Sequence, residues 1–146
     1  MVADIPAALL QSPSFQLEHL RRRTRDCVEE ALSHEGVTLR EYWVLTCLVS
    51  GDVPTQATLC DALGIDASDM VRLIDSLEAK SWTTRERDPH DRRRQIVKAT
   101  KKGKTVHPHL AEVVTQAEDA ALDDSTAKQL KHLRKLAAAI ITANED

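Results

Sequence analysis

One stretch of this chain interrupts a pattern that is otherwise helical. Residues 82–100 are rich in β-branched side chains on both sides of a charged, proline-containing turn at residues 88–91, whereas apolar residues recur at three- and four-residue steps before and after this stretch. β-branched runs that flank such a turn predict a β-hairpin. The sequence therefore predicts a mainly α protein with four helices, then a small hairpin, then two more helices.

Two short helices are predicted to meet at a glycine just before the hairpin. Thr55 can cap the first helix, residues 56–63, and Gly64 can close it. Asp66 then provides an acidic cap for a second helix over residues 67–80. This arrangement predicts a helix-turn-helix, although many helical bundles contain similar turns, and a hairpin that follows directly would be its wing.

The outer helices are predicted from apolar stripes. The first covers residues 15–32, and a capping box at Thr38 and Glu41 predicts a second that runs to about Val49. Two further stripes follow the hairpin. Pro108 lies too far past the hairpin for a first helical turn, so the helix there is either kinked or begins later.

The charges of the chain are segregated. The 146 residues carry a net charge of −3, but residues 80–104 hold ten basic and three acidic side chains, a local net charge of +7, which leaves −10 for the rest. Because phosphate binding responds to the local field, this segment fits a nucleic-acid-binding surface. A solvated charged loop has the same composition.

Other classes of protein find little support. The sequence has no nucleophile elbow, no glycine-rich loop of the kind that binds phosphate, and no pair of carboxylates among apolar residues, so an enzyme is not expected. His107 and His109 are two residues apart, which puts them on different faces of a helix, and the remaining histidines lack an i, i+4 partner. We therefore expect surface histidines, no metal and no cofactor.

The cysteine pattern and the hydropathy suit a cytoplasmic protein. Cys27, Cys47 and Cys60 are an odd number without CxxC spacing, which indicates neither a disulfide framework nor a zinc site. Buried, inert thiols are the preferred interpretation, and a redox switch is the alternative. The N-terminal residues lack the features of a signal peptide, and no run of 18 apolar residues occurs, so we expect neither export nor membrane insertion.

The hairpin and its exit resemble the wing of the MarR-type winged-helix regulators. The match is the motif Asp88-Pro89-x-Asp91-Arg92-Arg93-x-x-x-Val97-x-x-Thr100-x-x-Gly103. Two more stretches resemble the family's helix-turn-helix core and its approach to the wing, and they read Leu59-x-x-x-Leu63-Gly64-Ile65 and Leu77-Glu78-x-Lys80 followed by Arg85. The resemblance extends from about residue 15 to residue 141.

The chain departs from the family pattern beside the wing. Ser81 stands where the family usually has glycine, and Trp82 and Thr83 stand where it usually has apolar residues. Ala99 replaces a common leucine.

The resemblance implies a bacterial, cytoplasmic transcription regulator that is nucleoid-associated when bound to DNA. In this interpretation residues 1–36 and 104–146 form a helical dimerisation domain, and residues 37–103 form a winged helix-turn-helix that binds duplex DNA. The protein would act as a homodimer on a near-palindromic operator, as a repressor released by a small anionic aromatic effector. A winged helix used only for protein contacts is the non-enzymatic alternative.

Candidate DNA-binding residues follow from the resemblance and from base chemistry. Ser68, Asp69 and Arg72 would face base edges in the major groove, where arginine can pair with guanine and aspartate can accept from cytosine. The family pattern implies that Asp91 orients Arg93 for the minor groove. Helix amides near Thr55 and Gln56 can donate to phosphate, and four arginines are expected as phosphate contacts or strand-face charges: Arg85, Arg87, Arg92 and Arg94.

The candidate effector site draws on the first two helices. The resemblance implies a cleft there, bordered by His19, Arg22, Arg23, Tyr42, Trp43 and Thr46. In the alternative interpretation the two aromatic residues only fill the core or an interface, and the arginines only solvate the first helix or pair with acids of a partner chain.

Overall fold

The computed structural model describes residues 4–51 and 54–143. In these residues the chain forms seven α-helices and one antiparallel pair of strands. The helices are α1 (Ala7–Leu10), α2 (Pro13–Ser33), α3 (Leu39–Ser50), α4 (Gln56–Leu63), α5 (Ala67–Ala79), α6 (Lys101–Ala121) and α7 (Ala127–Ala143). The strands are β1 (Thr83–Arg87) and β2 (Gln95–Ala99). The mainly α fold with a hairpin wing is confirmed, and the four-residue α1 is an addition that the periodicity did not indicate.

The chain divides into two compact units. Residues up to Cys27 group with those from Gln116 onward, and Val28–Thr115 form the second unit, so that the boundaries fall within α2 and α6. We call them the helical unit and the winged unit. Relative to the predicted division, the winged unit gains residues 28–36 and 104–115. The assignment of dimerisation and DNA binding to these parts remains a prediction.

The helix starts of the winged unit are set by the predicted side-chain caps. The Thr38 hydroxyl accepts from the Glu41 amide at 3.2 Å, and a Glu41 carboxylate oxygen accepts from the Thr38 amide at 3.0 Å. Thr55 and Asp66 cap α4 and α5 with their side chains, and Gly64, with φ +64°, ends α4. The two bonds between Thr38 and Glu41 are the reciprocal pair of a capping box, which satisfies free amides at a helix start.

The core of the winged unit forms where α5 packs on α3 and α4 while the hairpin packs beside them. Its side chains are almost fully removed from solvent, and burial of each such side chain contributes roughly 1.5–3 kcal/mol. They include Leu32, Val44, Leu45, Leu59, Met70, Ile74, Leu77, Val97 and Leu110.

The backbone conformation at the end of α5 explains why the family usually has glycine at the position of Ser81. Ser81 has φ +65°, a left-handed conformation that favours glycine. The Ser81 amide donates to the Glu78 carbonyl at 2.8 Å and the Trp82 amide to the Leu77 carbonyl at 3.0 Å, which together make a Schellman motif. The chain thus keeps the geometry of a glycine-terminated helix with serine in the strained position.

The turn from the hairpin into α6 requires a glycine for a different reason. The Trp82 carbonyl accepts from the Thr100 amide at 2.9 Å, and a Cβ on Gly103 would lie only 2.3 Å from that carbonyl oxygen. Trp82 and Thr83 are both buried, and Thr83 pairs with Ala99 in the hairpin. Two of the departures from the family pattern, Thr83 and Ala99, are therefore partners in the paired hairpin.

Pro108 lies inside α6, which begins at Lys101 directly after the hairpin. The alternative in which this helix starts later is therefore wrong. Because proline has no amide hydrogen, the carbonyl of Lys104 lacks its helical donor at this point.

Candidate nucleic-acid interface

The N-terminus of α5 presents the predicted major-groove residues together. Asp66 accepts the Asp69 amide at 2.8 Å and the Ser68 hydroxyl at 2.9 Å. These hydrogen bonds, that of the Asp69 amide first, hold the pKa of Asp66 below its ordinary value. The side chain of Arg72 is 82% exposed one turn further along. The Ser68 hydroxyl already serves the helix cap, which leaves Arg72 as the extended donor of this group.

Asp69 is shared between two arginines. Its carboxylate lies 3.6 Å from Arg40 Nη1 and 4.0 Å from Arg72 Nη1. Arg40, in the first turn of α3, was not among the predicted site residues, because its position on α3 gives no sign of a partner on α5. The structure thus adds a second basic side chain beside the start of α5.

The start of α4 is joined to the wing. Thr55 forms an isolated antiparallel bridge with Ile96, and the Val97 amide donates to the Pro54 carbonyl at 3.0 Å. Gln56 is half-buried at the first helical position. The helix terminus at Thr55 and Gln56 is therefore held directly beside strand β2.

The wing tip contains the predicted Asp91 and Arg93 pair. Asp91 Oδ1 accepts from the Arg93 amide at 3.1 Å and from Arg93 Nε at 3.0 Å, and Arg93 Nη2 lies 3.3 Å from Oδ2. The bonds from Arg93 are the main reason that the pKa of Asp91 lies below its ordinary value. The Arg93 side chain is nevertheless 91% exposed, so an oriented guanidinium projects into solvent.

The other exposed arginines of the wing differ in how firmly they are held. Arg94 Nε lies 3.6 Å from Asp91, and Arg87 donates from Nη1 to the Arg92 carbonyl at 2.8 Å. Arg92 itself is exposed. All three lie on the hairpin or its turn, where they add positive charge around Arg93.

Arg85 does not join this group. Its Nε donates to Glu78 at 2.8 Å and its Nη2 to Asp75, and its side chain is only 22% exposed. Although partial burial opposes the charge, hydrogen bonds to Asp75 and Glu78 raise the pKa of Arg85. Arg85 therefore connects β1 with α5, and its role as a phosphate contact or a strand-face charge remains a prediction.

Comparison with known proteins agrees with the family resemblance seen in the sequence. A sequence profile described as "MarR family" matches residues 35–94, which span α3, α4, α5 and the hairpin up to the end of its charged turn. The multiple antibiotic resistance protein MarR of Escherichia coli is 28% identical over 105 residues, 71% of this chain and 73% of that protein. In sequence over residues 35–94, and in fold over most of its length, the chain is similar to MarR-type regulators.

Several solved structures share the fold. A crystal structure of MarR superposes with a TM-score of 0.80 at 26% identity, over 98% of this chain and 93% of that one. CouR from Rhodococcus jostii, bound to p-coumaroyl-CoA, gives 0.77 at 25% identity, over 92% and 95%. A mutant of E. coli MarR complexed with operator DNA gives 0.75 at 22% identity, over 93% and 99%.

The family and the relatives that the chain matches are transcription regulators and not enzymes, in agreement with the prediction from the sequence. Within residues 4–51 and 54–143, no helix is long and apolar enough to cross a membrane. The same residues contain no group of three or more metal-ligating side chains.

The predicted effector residues of the helical unit already have partners in that unit. His19 packs its ring against Phe15 at 5.4 Å, and Arg22 lies 3.6 Å from Glu18. Arg23 pairs with Asp124 at 3.3 Å. The arginines thus pair with acids of their own chain.

Two of the predicted effector residues of the winged unit, Tyr42 and Thr46, contact His107, which was not among the predicted site residues. The ring of His107 stacks on Tyr42 at 5.4 Å, and its Nε2 lies 2.9 Å from the Thr46 hydroxyl. The expected surface position is therefore wrong for His107, which is half-buried, and burial lowers its pKa. Trp43 is 41% exposed, so it does not fill the core.

The three cysteines are free and half-buried, where the sequence analysis expected buried thiols. Burial raises the pKa of the Cys47 thiol. The pKa of Cys60 is also raised, by burial first and then by the nearby Asp61 and Asp66 carboxylates. Both shifts lower the thiolate fraction and hence the reactivity of these two residues.

Proposed function

We propose that this protein is a homodimeric repressor that binds a near-palindromic operator and is released by a small anionic aromatic effector. The observation that carries the proposal is the wing tip, where Asp91 holds Arg93 while leaving its side chain 91% exposed. A narrow minor groove concentrates negative potential, which favours an arginine presented in this way.

The recognition helix in this proposal is α5, with Ser68, Asp69 and Arg72 toward the bases. Arg72 makes a bidentate pair with guanine, and Arg40 moves to a backbone phosphate. When both arginines leave Asp69, its carboxylate becomes available to accept from a cytosine amino group.

Phosphate contacts surround these base contacts. The amides at Thr55 and Gln56 donate from the start of α4, and the arginines of the wing supply charge on the other side. Those arginines are Arg87, Arg92 and Arg94. Arg85 contributes indirectly, because its guanidinium is bound to α5.

Dimerisation in this proposal uses the helical unit. Helix α7 has no buried residue, yet several of its large apolar side chains are well exposed. These are Leu133 (40%), Leu136 (62%), Ile140 (58%) and Ile141 (66%). An apolar face of this kind on an isolated protomer is typical of a subunit interface, so a second copy of the chain is its proposed partner.

The effector in this proposal is an anion with an aromatic ring, and CouR with p-coumaroyl-CoA is the relative that supports this class. In the winged unit, Tyr42 and His107 offer a stacking face, Thr46 a hydrogen-bonding hydroxyl and Trp43 an exposed indole. A thermal-shift screen of small aromatic acids tests this part, and a screen without any stabilising compound would count against it.

The test of the DNA-binding mode compares three wing variants on a duplex selected by the wild-type protein. Arg93→Ala is expected to weaken binding by about 1–3 kcal/mol and to lower the salt slope by about 1. Arg92→Ala removes the same charge from the same turn and is expected to have the smaller effect. Asp91→Asn is expected to weaken binding although it removes a negative charge.

These variants are measured by gel-shift titration at several fixed salt concentrations. Unchanged affinity of Arg93→Ala would remove Arg93 from the interface and, with it, the proposed insertion of the wing into the minor groove.

A further inference from the structure

Glu41 connects two helices through both of its carboxylate oxygens. Oε1 accepts from the Thr38 amide at 3.0 Å, which completes the cap of α3. Oε2 accepts from the Ser76 hydroxyl at 2.8 Å and from Lys80 Nζ at 3.0 Å, both at the C-terminal end of α5. We call Thr38, Glu41, Ser76 and Lys80 the Glu41 network. The capping box visible in the sequence is thus also a tertiary contact.

Glu41 is the buried member of the Glu41 network, whereas the Lys80 side chain is 27% exposed and Thr38 is exposed. Glu41 is 5% exposed, and Lys80 Nζ also lies 3.1 Å from the Ser76 hydroxyl. Burial alone would raise the pKa of Glu41, but hydrogen bonds from Lys80, Ser76 and Thr38 hold it below its ordinary value. Buried charges of this kind are tolerated only when each is paired, and removal of one partner leaves the other stranded.

The chemistry of the network requires a carboxylate. Each of the two oxygens of Glu41 already has its own donors, on α3 and on α5 respectively. Glutamine offers one acceptor oxygen and an NH2 group that must donate. A glutamine at this position can keep the cap with its oxygen and donate from its NH2 group to the Ser76 hydroxyl, but it cannot accept from Lys80 Nζ, so the charge-assisted bond to Lys80 is lost.

The network acts on the helix that carries the base-contacting residues. Ser76 and Lys80 lie at one end of α5, and Ser68, Asp69 and Arg72 lie near the other. A helix behaves as a stiff rod, so a contact that fixes one end also fixes the direction of the other. Because Glu41 is buried, its own contact with DNA phosphate is excluded in this structure.

We propose that Glu41 is a positioning residue for operator recognition: its carboxylate holds α5 against α3 at the angle at which Ser68, Asp69 and Arg72 enter the major groove. This inference rests on the proposed DNA-binding mode and adds to it a residue that touches no DNA. The expected direction of the change in affinity is distinctive: loss of the Glu41 charge should weaken DNA binding, whereas loss of a negative charge from a DNA-binding protein ordinarily strengthens binding to phosphate.

The experiment compares Glu41→Gln with Glu35→Gln. Both variants change the net charge equally and both lie in the winged unit, but the Glu35 carboxylate pairs with His109. On a labelled duplex carrying the sequence that the wild-type protein selects, Glu41→Gln is expected to bind about tenfold more weakly, about 1.4 kcal/mol. Glu35→Gln is expected to bind as tightly as wild type or more tightly. The salt slope of Glu41→Gln is expected to be unchanged, because no phosphate contact is lost.

Two further variants protect the test against a simple folding defect. Ser76→Ala keeps the charge pair and the cap while removing the two hydrogen bonds of the Ser76 hydroxyl, and it is expected to weaken binding roughly threefold. The double variant Glu41→Gln with Lys80→Gln restores the net charge and removes the stranded ammonium, so it is expected to recover part of the affinity. Equal affinity of folded Glu41→Gln, Ser76→Ala and Glu35→Gln would overturn the proposal.

Amide hydrogen exchange separates this proposal from the proposed DNA-binding mode. Faster exchange along α5 in Glu41→Gln than in Glu35→Gln supports the positioning role, and equal exchange overturns it. A wild-type protein that selects no sequence contradicts the DNA-binding mode itself, whichever way the exchange comparison turns out.

Discussion

Replacement of Ser81 by glycine should stabilise the protein. Ser81 has φ +65°, where a side chain strains the backbone by roughly 1–2 kcal/mol that glycine does not incur. Glycine loses more conformational freedom on folding, which offsets roughly 0.5–1 kcal/mol of this relief. The Ser81 amide donates a hydrogen bond and the Ser81 carbonyl accepts one. Both are backbone groups, so Ser81→Gly preserves these bonds. The net gain is about 0.5–1 kcal/mol.

The assay is thermal unfolding at one fixed protein concentration, because the melting temperature of an oligomer depends on concentration. A gain of this size corresponds to an increase of about 2–3 °C for a chain of this length. Ser81→Ala is the matched control, since it removes the hydroxyl but keeps the Cβ, and no increase is expected. A melting temperature of Ser81→Gly at or below that of wild type would refute the argument from backbone strain.

Three further outcomes follow from the packing and charges of the winged unit. Gly103→Ala should destabilise the fold by about 1–3 kcal/mol in urea unfolding, because its Cβ would lie 2.3 Å from the Trp82 carbonyl oxygen. Helix propensity alone would make alanine stabilising at this position, so a gain in the free energy of unfolding would contradict the prediction. Arg85→Gln should lower stability by about 1 kcal/mol and leave the salt slope of DNA binding unchanged, whereas a slope lower by about 1 would make Arg85 a phosphate contact. The lowered pKa of Glu41 contributes stability that is present above the ordinary pKa of 4.5 and is lost as the pH falls through the folded pKa. The melting temperature of Glu41→Gln should therefore fall less steeply with acid than that of wild type. Identical profiles of melting temperature against pH would exclude this contribution.

The features that the sequence predicted are those set by neighbours within a few residues. The caps at Thr38, Thr55 and Asp66 and the turn at Gly64 depend on local hydrogen bonds and local backbone conformation. The hairpin was predictable for the same reason, because a change of periodicity is a local signal.

The features that the sequence did not predict are contacts between distant segments. His107 lies 61 residues from Thr46, and periodicity says nothing about which helix faces which. In the sequence, Arg85 is one of the basic residues of segment 80–104, and its hydrogen bonds to Asp75 and Glu78 on α5 become visible only in the structure. The family pattern gave the position of the wing, but the partner of each arginine depends on tertiary packing.

The central claim is that the protein recognises a specific operator as a symmetric dimer, and selection from random duplex DNA tests it most directly. The account predicts an enriched, near-palindromic sequence whose half-sites are separated by a helical turn of about 34–36 Å or a multiple of it. Binding to that sequence should weaken steeply as the salt concentration rises. Recovery of no preferred sequence, or binding that is insensitive to salt, would contradict the account.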